Sequence, residues 1–318
     1  MEKKGFGVGV GKGGDSRIYD FDVLKKSFKI QEPTESKIII DESKMPEIID
    51  QGEYQSCVAC SLAAVLEFFD GLEKEGKGEP FSHSYIYGKH RAKDSTSSGM
   101  LVETALKSML NCGSVPLDVY PRPMEMPEAK IMVREDAELE KIAVPSRIGG
   151  YCKIRWGNDK EAAKNVYLAI KNTGAPVIAT SYHAFGEHHC VVIYGVDLDT
   201  LEVYVQNSWG KSWGEKGRAR MKIGNFESIW MVMDEMVALP FKDVPEDAWY
   251  YKAIANMYRA GYLNGKSEDV FDPDGLVKRS ELAQAMNNML KRLDEIDDAR
   301  ARCIENWIKD VENRVNGN

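Results

Sequence analysis

The most regular hydrophobic pattern in the chain begins directly after Ser56. Apolar residues recur there three or four positions apart, as Val58, Leu62, Val65, Leu66, Phe69 and Leu72. This spacing is typical of an amphipathic helix. Ser56 stands where a residue caps the start of a helix, and Gly71 and Gly76 stand where glycines end one. The pattern therefore predicts a helix that begins at Cys57.

Further along the chain the pattern changes from helical to extended. The segment 162–170 has helical spacing and ends before Gly174-Ala175-Pro176. β-Branched and aromatic residues then dominate the segments 190–194 and 201–206, which is typical of strands. A helical half and a strand-rich half together predict an α+β fold with a cleft between the two halves.

Composition limits the classes of protein that remain. The 318 residues are enough for two ordinary domains, and 43% hydrophobic with 29% charged residues is typical of soluble globular proteins. The net charge of −8 gives no electrostatic reason to expect nucleic-acid binding. The first residues lack the apolar stretch of a secretion signal, and no segment has membrane-spanning length. These features predict a cytoplasmic protein without a membrane span.

Four polar residues supply the parts that a thiol nucleophile needs. Cys57 opens the predicted helix, where backbone N–H groups and the helix dipole stabilise a thiolate. His189 and Asn207 come at the start of one predicted strand and the end of the other, and Gln51 lies six residues before the cysteine. A nucleophilic thiol requires a base, a group that orients the base, and donors for the oxyanion. We predict that His189 is the base and that Asn207 orients it. Gln51 and the Cys57 amide are the predicted donors for the oxyanion.

These residues stand in runs that resemble the papain family of cysteine peptidases. The runs are Gln51-Gly52 with Ser56-Cys57, His189 to Gly195, and Asn207-Ser208-Trp209-Gly210 continuing to Glu215. His189 follows Cys57 by 132 residues (189 − 57) and Asn207 by 150 (207 − 57), which matches the separation of about 130 to 150 in papain-type enzymes. The resemblance covers about 36–221. It implies a two-lobed fold, with a helical lobe and an antiparallel β-rich lobe, and peptide hydrolysis through an acyl-enzyme.

The resemblance also implies substrate-binding positions in the cleft. Ser98-Gly99 is similar, though more weakly, to the family's glycine strand that pairs with the substrate backbone. Trp209 matches a tryptophan that shields the bond between the histidine and the asparagine from water, and dry surroundings strengthen such a bond. Ser98, Gly99 and Trp209 are therefore expected to border the substrate.

Two adjacent histidines compete for the role of base. Neighbouring residues of a strand point to opposite faces, so only one of His188 and His189 can face the cleft. The family pattern counts six residues back from Gly195 and selects His189. His188 is then expected at the rim of the cleft, where it contacts substrate or solvent.

The six cysteines favour a reduced protein. Tyr54 stands where the family has half of a disulfide, and Val58 where it has a tryptophan, so the chain resembles divergent bacterial members. Cys57 and Cys60 are also spaced like a redox or zinc pair. A zinc site needs about four ligands and no second pair occurs, while a redox pair would need a thioredoxin-like context. We expect neither a metal nor an organic cofactor.

A second resemblance begins after Pro240. Segments 241–245, 261–265, 271–273 and 278–281 resemble one S-layer homology repeat that covers 241–293. The resemblance implies a small all-α unit. Three such repeats usually combine to hold a cell-wall polysaccharide, and Lys278 stands where the family commonly has threonine before Arg279. The implied partner is a wall glycan or a protein, and the cell surface is then the alternative location. The unit is otherwise a simple appendage that packs on the rest of the chain.

The two ends of the chain carry further patterns. A stripe at helical spacing predicts a last amphipathic helix, and its residues are Ile296, Ala299, Cys303, Ile304, Trp307, Ile308, Val311 and Val315. Such a stripe packs on the same chain or on a second copy, so a homodimer is one prediction. The glycine-rich residues 1–35 are either a short prosegment that covers the cleft and is removed by self-cleavage, or an N-terminal strand packed on the domain.

The sequence thus predicts four segments and one favoured function. The segments are 1–35, a peptidase domain at 36–240, the S-layer-like unit at 241–293, and a C-terminal helix at 294–318. The favoured function is a cysteine endopeptidase, and self-processing of its first segment is a further hypothesis. The alternatives are a non-catalytic surface or scaffold protein, and an acyltransferase or transpeptidase that uses the same residues.

Overall fold

The computed structural model describes residues 18–27, 32–91, 99–121, 136–234, 239, 241–245, 248–259 and 263–316. The helices are α1 Phe21–Ser27, α2 Cys57–Glu73, α3 His83–His90, α4 Val102–Cys112, α5 Ala137–Ala143, α6 Asp159–Thr173, α7 Tyr251–Arg259 and α8 Arg279–Asn316. The strands are β1 Ile18–Asp20, β2 Lys37–Ile39, β3 Ile148–Ile154, β4 Val177–Ser181, β5 His189–Asp197, β6 Glu202–Gln206, β7 Arg218–Lys222 and β8 Ser228–Asp234.

One sheet of eight strands organises the described part of the chain. Its order is β1-β3-β8-β4-β5-β6-β7, and β2 pairs with β5 outside this path. Only the β1–β3 pair is parallel among these pairings; the others are antiparallel. Helices α2, α3 and α4 form the other lobe, and the all-α unit follows. This is the two-lobed α+β fold that the sequence predicted.

Strand β5 is buried on both of its faces. Cys190, Val192 and Tyr194 pack in the core that includes α2, while Val191 and Ile193 pack in the core that includes α6. Successive side chains of a strand point to opposite faces, so a strand covered on both sides needs an unbroken apolar run. This explains why the run at 190–194 shows no alternation of polar and apolar residues.

The start of α2 differs from its prediction in one detail. Ser56 is the N-cap residue, but its side chain makes no capping hydrogen bond, so the predicted side-chain cap is wrong. Its hydroxyl instead lies 3.5 Å from the Tyr54 carbonyl oxygen and 3.8 Å from the Cys60 sulfur. The first turn is held by backbone bonds, such as the one from Cys60 N–H to the Ser56 carbonyl at 2.9 Å.

The glycines near the end of α2 allow a close approach of the chain to the helix. The helix continues to Glu73, so Gly71 lies inside it and does not end it. A Cβ on Gly78 would lie 1.7 Å from the carbonyl oxygen of Glu67. The glycines here allow the chain to return closely against the helix that it has just left.

Residues 18–27 are part of the β-rich lobe. β1 pairs with β3 in a register that places Ile18 beside Tyr151. Phe21 and Leu24 are 4% and 2% exposed, in the core between the sheet and α6. This core lies on the sheet face opposite α2, so these residues do not cover the start of that helix. The packing favours the N-terminal strand over the prosegment, while residues 1–17 lie outside the described part.

Helix α8 packs on the helical lobe of its own chain. Ala299 and Cys303 are 0% and 5% exposed and, with Ile296, pack against Tyr85, Tyr120 and their neighbours. The helix runs unbroken through the predicted boundary between 293 and 294. The buried part of the stripe therefore does not need a second copy, and the homodimer gains no support from it. The side chains of Trp307, Val311 and Val315 lie outside the described residues.

Three arginines of α8 fix this contact. Arg292 donates to the carbonyl oxygens of Lys141 and Ile142 at 3.0 and 3.1 Å. These carbonyls lie at the C-terminal end of α5, where a positive charge is favoured. Ion pairs follow at Arg300–Asp118, 2.5 Å, and at Arg302–Asp136, 3.3 Å.

The S-layer-like unit has a small core of its own. Phe241, Val244 and Ile254 are buried there, and Phe271 packs against them. Asp243 accepts from the backbone N–H groups of Phe271 and Asp272 at 2.9 and 2.6 Å, which ties the start of the unit to its loop. In the described ranges, no helix combines the length and the apolar character needed to cross a membrane.

A charge placed at Ala299 tests the docking of α8. We expect Ala299→Asp to lower the free energy of unfolding by about 3 kcal/mol, because it buries an unpaired carboxylate. Ala301→Asp is the matched control, since residue 301 is exposed on the same helix. Thermal unfolding and limited proteolysis of α8 measure the effect. Equal behaviour of the two variants would contradict the contact.

Glu67 is an unusual charge in the helical lobe. It is half-buried on α2, and burial, together with the nearby charges of Glu47 and Asp70, raises its pKa to about 7. The Glu47 backbone N–H and Lys77 act in the opposite direction. The folded chain therefore holds this proton up to about pH 7, whereas the unfolded chain releases it near 4.5.

Stability contributed by the Glu67 proton is present at acid pH and is lost as the pH rises from about 4.5 to about 7. Glu67→Gln mimics the protonated group at every pH. We expect it to exceed the wild type in unfolding free energy at pH 8 by about 1 to 2 kcal/mol, after allowance for solvent screening, and to match it near pH 4. Urea titrations at both pH values measure this. Asp199→Asn, at an exposed turn, is the control.

Candidate active site

Cys57 is the first residue of α2 and is half-buried. Burial raises the pKa of its thiol, while the nearby backbone N–H groups of Cys190, Val58 and Cys57 itself lower it. Burial is the larger effect, so the lowered pKa expected from the helix start alone is not found. Cys57 packs against the core that includes Cys190, the second residue of β5.

His189 is buried and bonded to Asn207. The imidazole is 3% exposed, and its Nε2 lies 2.6 Å from Asn207 Oδ1. The same Oδ1 accepts from the Ser208 N–H at 2.7 Å, so it is an acceptor and Nε2 carries the proton. The other ring nitrogen, Nδ1, is then the basic one. The antiparallel pairing of β5 with β6, which sets Val192 beside Gln206, brings the two residues together.

The pKa of His189 is lowered by burial, although the bond to Asn207 and the charge of Glu187 raise it in part. Two aromatic rings produce much of this burial. Trp209 lies 4.5 Å from the imidazole centroid and Phe185 lies 4.7 Å from it. The ring of Trp209 thus lies where a shield was predicted. Phe185 was not found from the sequence, because no motif includes it.

Gln51 is oriented by hydrogen bonds on both ends of its amide. Ser208 Oγ donates to its Oε1 at 2.6 Å, and its Nε2 donates to the Tyr54 carbonyl at 2.7 Å. The backbone N–H of Gln51 donates to the Ser208 carbonyl at 2.8 Å. One hydrogen of the amide is left for a substrate. The sequence did not single out Ser208, although its place directly after Asn207 was available as a signal.

The remaining predicted residues lie around this centre. Gly99 has a φ of +88°, donates its N–H to Tyr87 Oη at 3.3 Å, and would carry a Cβ only 3.9 Å from Gln55 Oε1. It therefore lies beside the segment that leads to Cys57. His188 is exposed, with its ring 5.1 Å from Tyr182, which agrees with a rim position. Ser98 lies outside the described residues.

Glu187 is a charged neighbour that the sequence did not reveal. It is exposed two residues before His189, and its charge raises the pKa of both Cys57 and His189. A nearby carboxylate disfavours the charged thiolate of Cys57 and favours the charged imidazolium of His189. Its side chain is therefore close enough to influence the pH dependence of the centre.

None of the six cysteines, all of which the structure describes, forms a disulfide. Cys60, Cys152, Cys190 and Cys303 are buried, and Cys112 is half-buried. Within the same described ranges, no group of three or more His, Cys, Asp or Glu residues is arranged to hold a metal ion.

A helix that begins with a cysteine and a strand that begins with its histidine are features of papain-like cysteine proteases, and comparison with solved structures finds this fold. Xylellain, a cysteine protease from Xylella fastidiosa, aligns with a TM-score of 0.51 and 20% identity, over 66% of this chain and 89% of its own. Procathepsin L 3 of the Tenebrio molitor larval midgut aligns with a TM-score of 0.50 and 16% identity, over 64% of this chain and 71% of its own. The papain-like fold is confirmed.

A separate match concerns the C-terminal unit. Residues 240–283 match the S-layer homology domain family. This confirms the single S-layer-like repeat predicted from the sequence, although the match ends before the predicted boundary at 293. The chain thus combines a papain-like fold with one S-layer homology repeat.

Removal of the Glu187 charge tests its effect on the thiol. We expect Glu187→Gln to shift the alkylation midpoint of Cys57 to lower pH by about half a unit, because an exposed charge acts through a high dielectric constant. The reagent is iodoacetamide, which is uncharged, and mass spectrometry of peptides separates Cys57 from the other five cysteines. Glu53→Gln, another exposed carboxylate, is the control. An unchanged midpoint in Glu187→Gln would refute the effect.

Proposed function

We propose that the chain is a cysteine peptidase that cleaves peptide bonds through Cys57 and His189. One observation carries the proposal. His189 Nε2 is bonded to Asn207, and Cys57 packs against the core that includes Cys190, the next residue of the same strand. Nδ1 is thereby left as the proton acceptor on the nucleophile. The papain-like fold supports the same assignment.

The proposed reaction begins with transfer of the thiol proton of Cys57 to His189 Nδ1. The sulfur attacks the peptide carbonyl, and His189 then donates the proton to the leaving amine nitrogen as the C–N bond breaks. Water, activated by the neutral imidazole, cleaves the thioester and releases the acyl product. Asn207 keeps the ring in one orientation and one tautomer throughout.

Burial and mutual attraction oppose each other in this pair. Burial raises the pKa of Cys57 and lowers that of His189, which favours the uncharged forms. Two opposite charges about 4 Å apart attract by about 4 kcal/mol at an effective dielectric constant of about 20, equivalent to about 3 pKa units. We propose that this attraction and the backbone N–H groups near the sulfur together support the thiolate–imidazolium pair.

The oxyanion of the tetrahedral intermediate is assigned to two donors. The free amide hydrogen of Gln51 and the N–H of Cys57 are the proposed pair, and the bond from Ser208 to Gln51 fixes the first of them before substrate binds. Gly99 and His188 are proposed to contact the substrate on either side, with Trp209 over the imidazole.

We also propose that the S-layer-like unit places this peptidase at the cell surface by contact with wall glycan. The family match at 240–283 supports this location and gives no support to the cytoplasmic prediction. Arg279 is the proposed glycan contact, with Lys278 before it. A non-catalytic wall protein would use the same unit without the cleft.

A peptide-library digestion, followed by mass spectrometry, tests the proposed function. We expect the full-length wild type to cleave peptides and Cys57→Ala to lose at least about a thousandfold in rate, because the nucleophile is removed. Cys112→Ala, at a half-buried cysteine outside the site, is the control and should cleave as the wild type does.

Other products in the same experiment separate the alternatives. Ligated peptides that depend on Cys57 would assign acyl transfer to an amine instead of hydrolysis. No Cys57-dependent product, with the protein still sedimenting with purified cell walls, would favour the non-catalytic surface protein. The intact mass of the enzyme after incubation shows whether residues are removed from its N-terminus.

A further inference from the structure

A second thiol lies one helical turn beyond the proposed nucleophile. Cys60 is 1% exposed, and its sulfur lies 3.8 Å from Ser56 Oγ, directly before Cys57 in the chain. Residues three apart lie on the same face of a helix, so the side chains of Cys57 and Cys60 are neighbours. The charge of Cys57 accordingly acts on the Cys60 thiol. The proposed mechanism uses only the first of these two cysteines.

The backbone separation of the pair suits a disulfide. Cα atoms three apart in a helix are about 5 Å from each other, within the range of about 4.4 to 6.8 Å for disulfides. Their Cβ atoms are about 5 to 6 Å apart, whereas a disulfide needs about 3.5 to 4.5 Å. A closure of about 1 Å in the first turn is therefore sufficient.

The first turn of α2 is the part of the helix that can supply this closure. Ser56 does not cap it with its side chain, so no hydrogen bond from that side chain fixes the N–H groups of the first turn. The bond from Cys60 N–H to the Ser56 carbonyl, at 2.9 Å, connects the residue before Cys57 to Cys60 and is compatible with a tighter turn. The preceding segment is exposed at Gly52 and Gln55, where it has room to adjust.

We propose that Cys60 is a resolving thiol, which forms a reversible disulfide with Cys57 after peroxide oxidises the nucleophile. The proposal rests on the proposed function, because it requires Cys57 to be the reactive thiol. A low-molecular-weight peroxide is the oxidant, and a dithiol restores the enzyme. The disulfide protects Cys57 from the irreversible sulfinic and sulfonic acids.

The chemistry balances in two steps. The Cys57 sulfur attacks one peroxide oxygen, the O–O bond breaks, and the released hydroxide takes up the thiol proton as water, which leaves a sulfenic acid. Cys60 sulfur then attacks the Cys57 sulfur, the S–O bond breaks, and the Cys60 proton leaves with the hydroxide as a second water. Two thiols are oxidised to one disulfide, and one hydrogen peroxide is reduced to two waters.

Burial raises the pKa of Cys60 to about 12, and the charge of Cys57 raises it further. The second contribution disappears once Cys57 is an uncharged sulfenic acid. The proton that Cys60 loses passes to the leaving oxygen, so a free Cys60 thiolate is not needed. The resolving step is therefore compatible with a buried thiol.

Cys190 is the competing thiol and the natural control. It is buried on β5, and the charge of Cys57 raises the pKa of its thiol as it does that of Cys60. A bond from Cys57 to Cys190 would join a helix to a strand, whereas a bond to Cys60 lies within one helical turn. Cys60 is favoured because its approach is local.

The test uses full-length protein treated with an excess of hydrogen peroxide. We expect the wild type to lose two hydrogen atoms by intact mass, and peptide mapping after alkylation of free thiols to show a disulfide between Cys57 and Cys60. Peptidase activity should fall with disulfide formation and return on addition of dithiothreitol. Cys190→Ala should form the same disulfide between Cys57 and Cys60 and show the same loss of two hydrogen atoms.

Cys60→Ala gives the opposing result under the same treatment. It should gain oxygen atoms at Cys57 in place of the disulfide, and its activity after dithiothreitol should recover about tenfold less than that of the wild type, each relative to its own untreated sample. Equal recovery in Cys60→Ala, absence of the disulfide in the wild type, or a disulfide to Cys190 would overturn the proposal.

Failure of this proposal can be distinguished from failure of the proposed function. A chain that cleaves peptides but forms no disulfide refutes the resolving role of Cys60 alone. A chain that forms the disulfide between Cys57 and Cys60 but cleaves nothing refutes the peptidase and keeps the redox pair.

Discussion

The buried hydrogen bond between His189 and Asn207 is the contact on which the proposed chemistry depends. It joins the first residue of β5 to the residue that follows β6, so it depends on the pairing that sets Val192 beside Gln206. A slip of one residue would turn each side chain to the opposite face. Both faces of β5 are packed, so such a slip would require two cores to repack. The core of the sheet therefore sets the geometry of the site.

The site lies where the two lobes meet, and Cys57 and His189 are buried by residues of both lobes. Cys57 belongs to a helix of one lobe, yet it packs against the core that includes Cys190 of the sheet. Trp209 and Phe185 cover the imidazole and remove water from it. Burial disfavours both charges, whereas it strengthens the attraction between them and the bond to Asn207. The reactivity of the centre therefore depends on the balance between the cost of burying the two charges and the attraction between them.

The sequence predicted those features that local pattern controls. Helical spacing located α2, β-branched runs located β5 and β6, and motif spacing selected His189 over His188. Beyond the meeting of Cys57, His189, Asn207 and Trp209, which the family resemblance implied, it did not predict contacts between residues distant in the chain. Phe185 against the imidazole, the bond from Ser208 to Gln51, and the burial of Ala299 all depend on tertiary packing. The Ser56 cap failed for a related reason, because Tyr54 and Cys60 take its hydroxyl away from the helix start.

Helix α8 connects the C-terminal unit to the helical lobe. It begins at Arg279, where the S-layer-like repeat is ending, and its residues Ala299 and Cys303 lie in the core of the helical lobe. A helix of 38 residues is about 57 Å long, and no flexible linker interrupts it. The helix therefore connects the end of the repeat to the helical lobe without a break. The core of the repeat, at Phe241, Val244 and Ile254, is joined to α8 through the loop 272–278, so the stiffness of that loop decides how a surface that holds the repeat would orient the cleft.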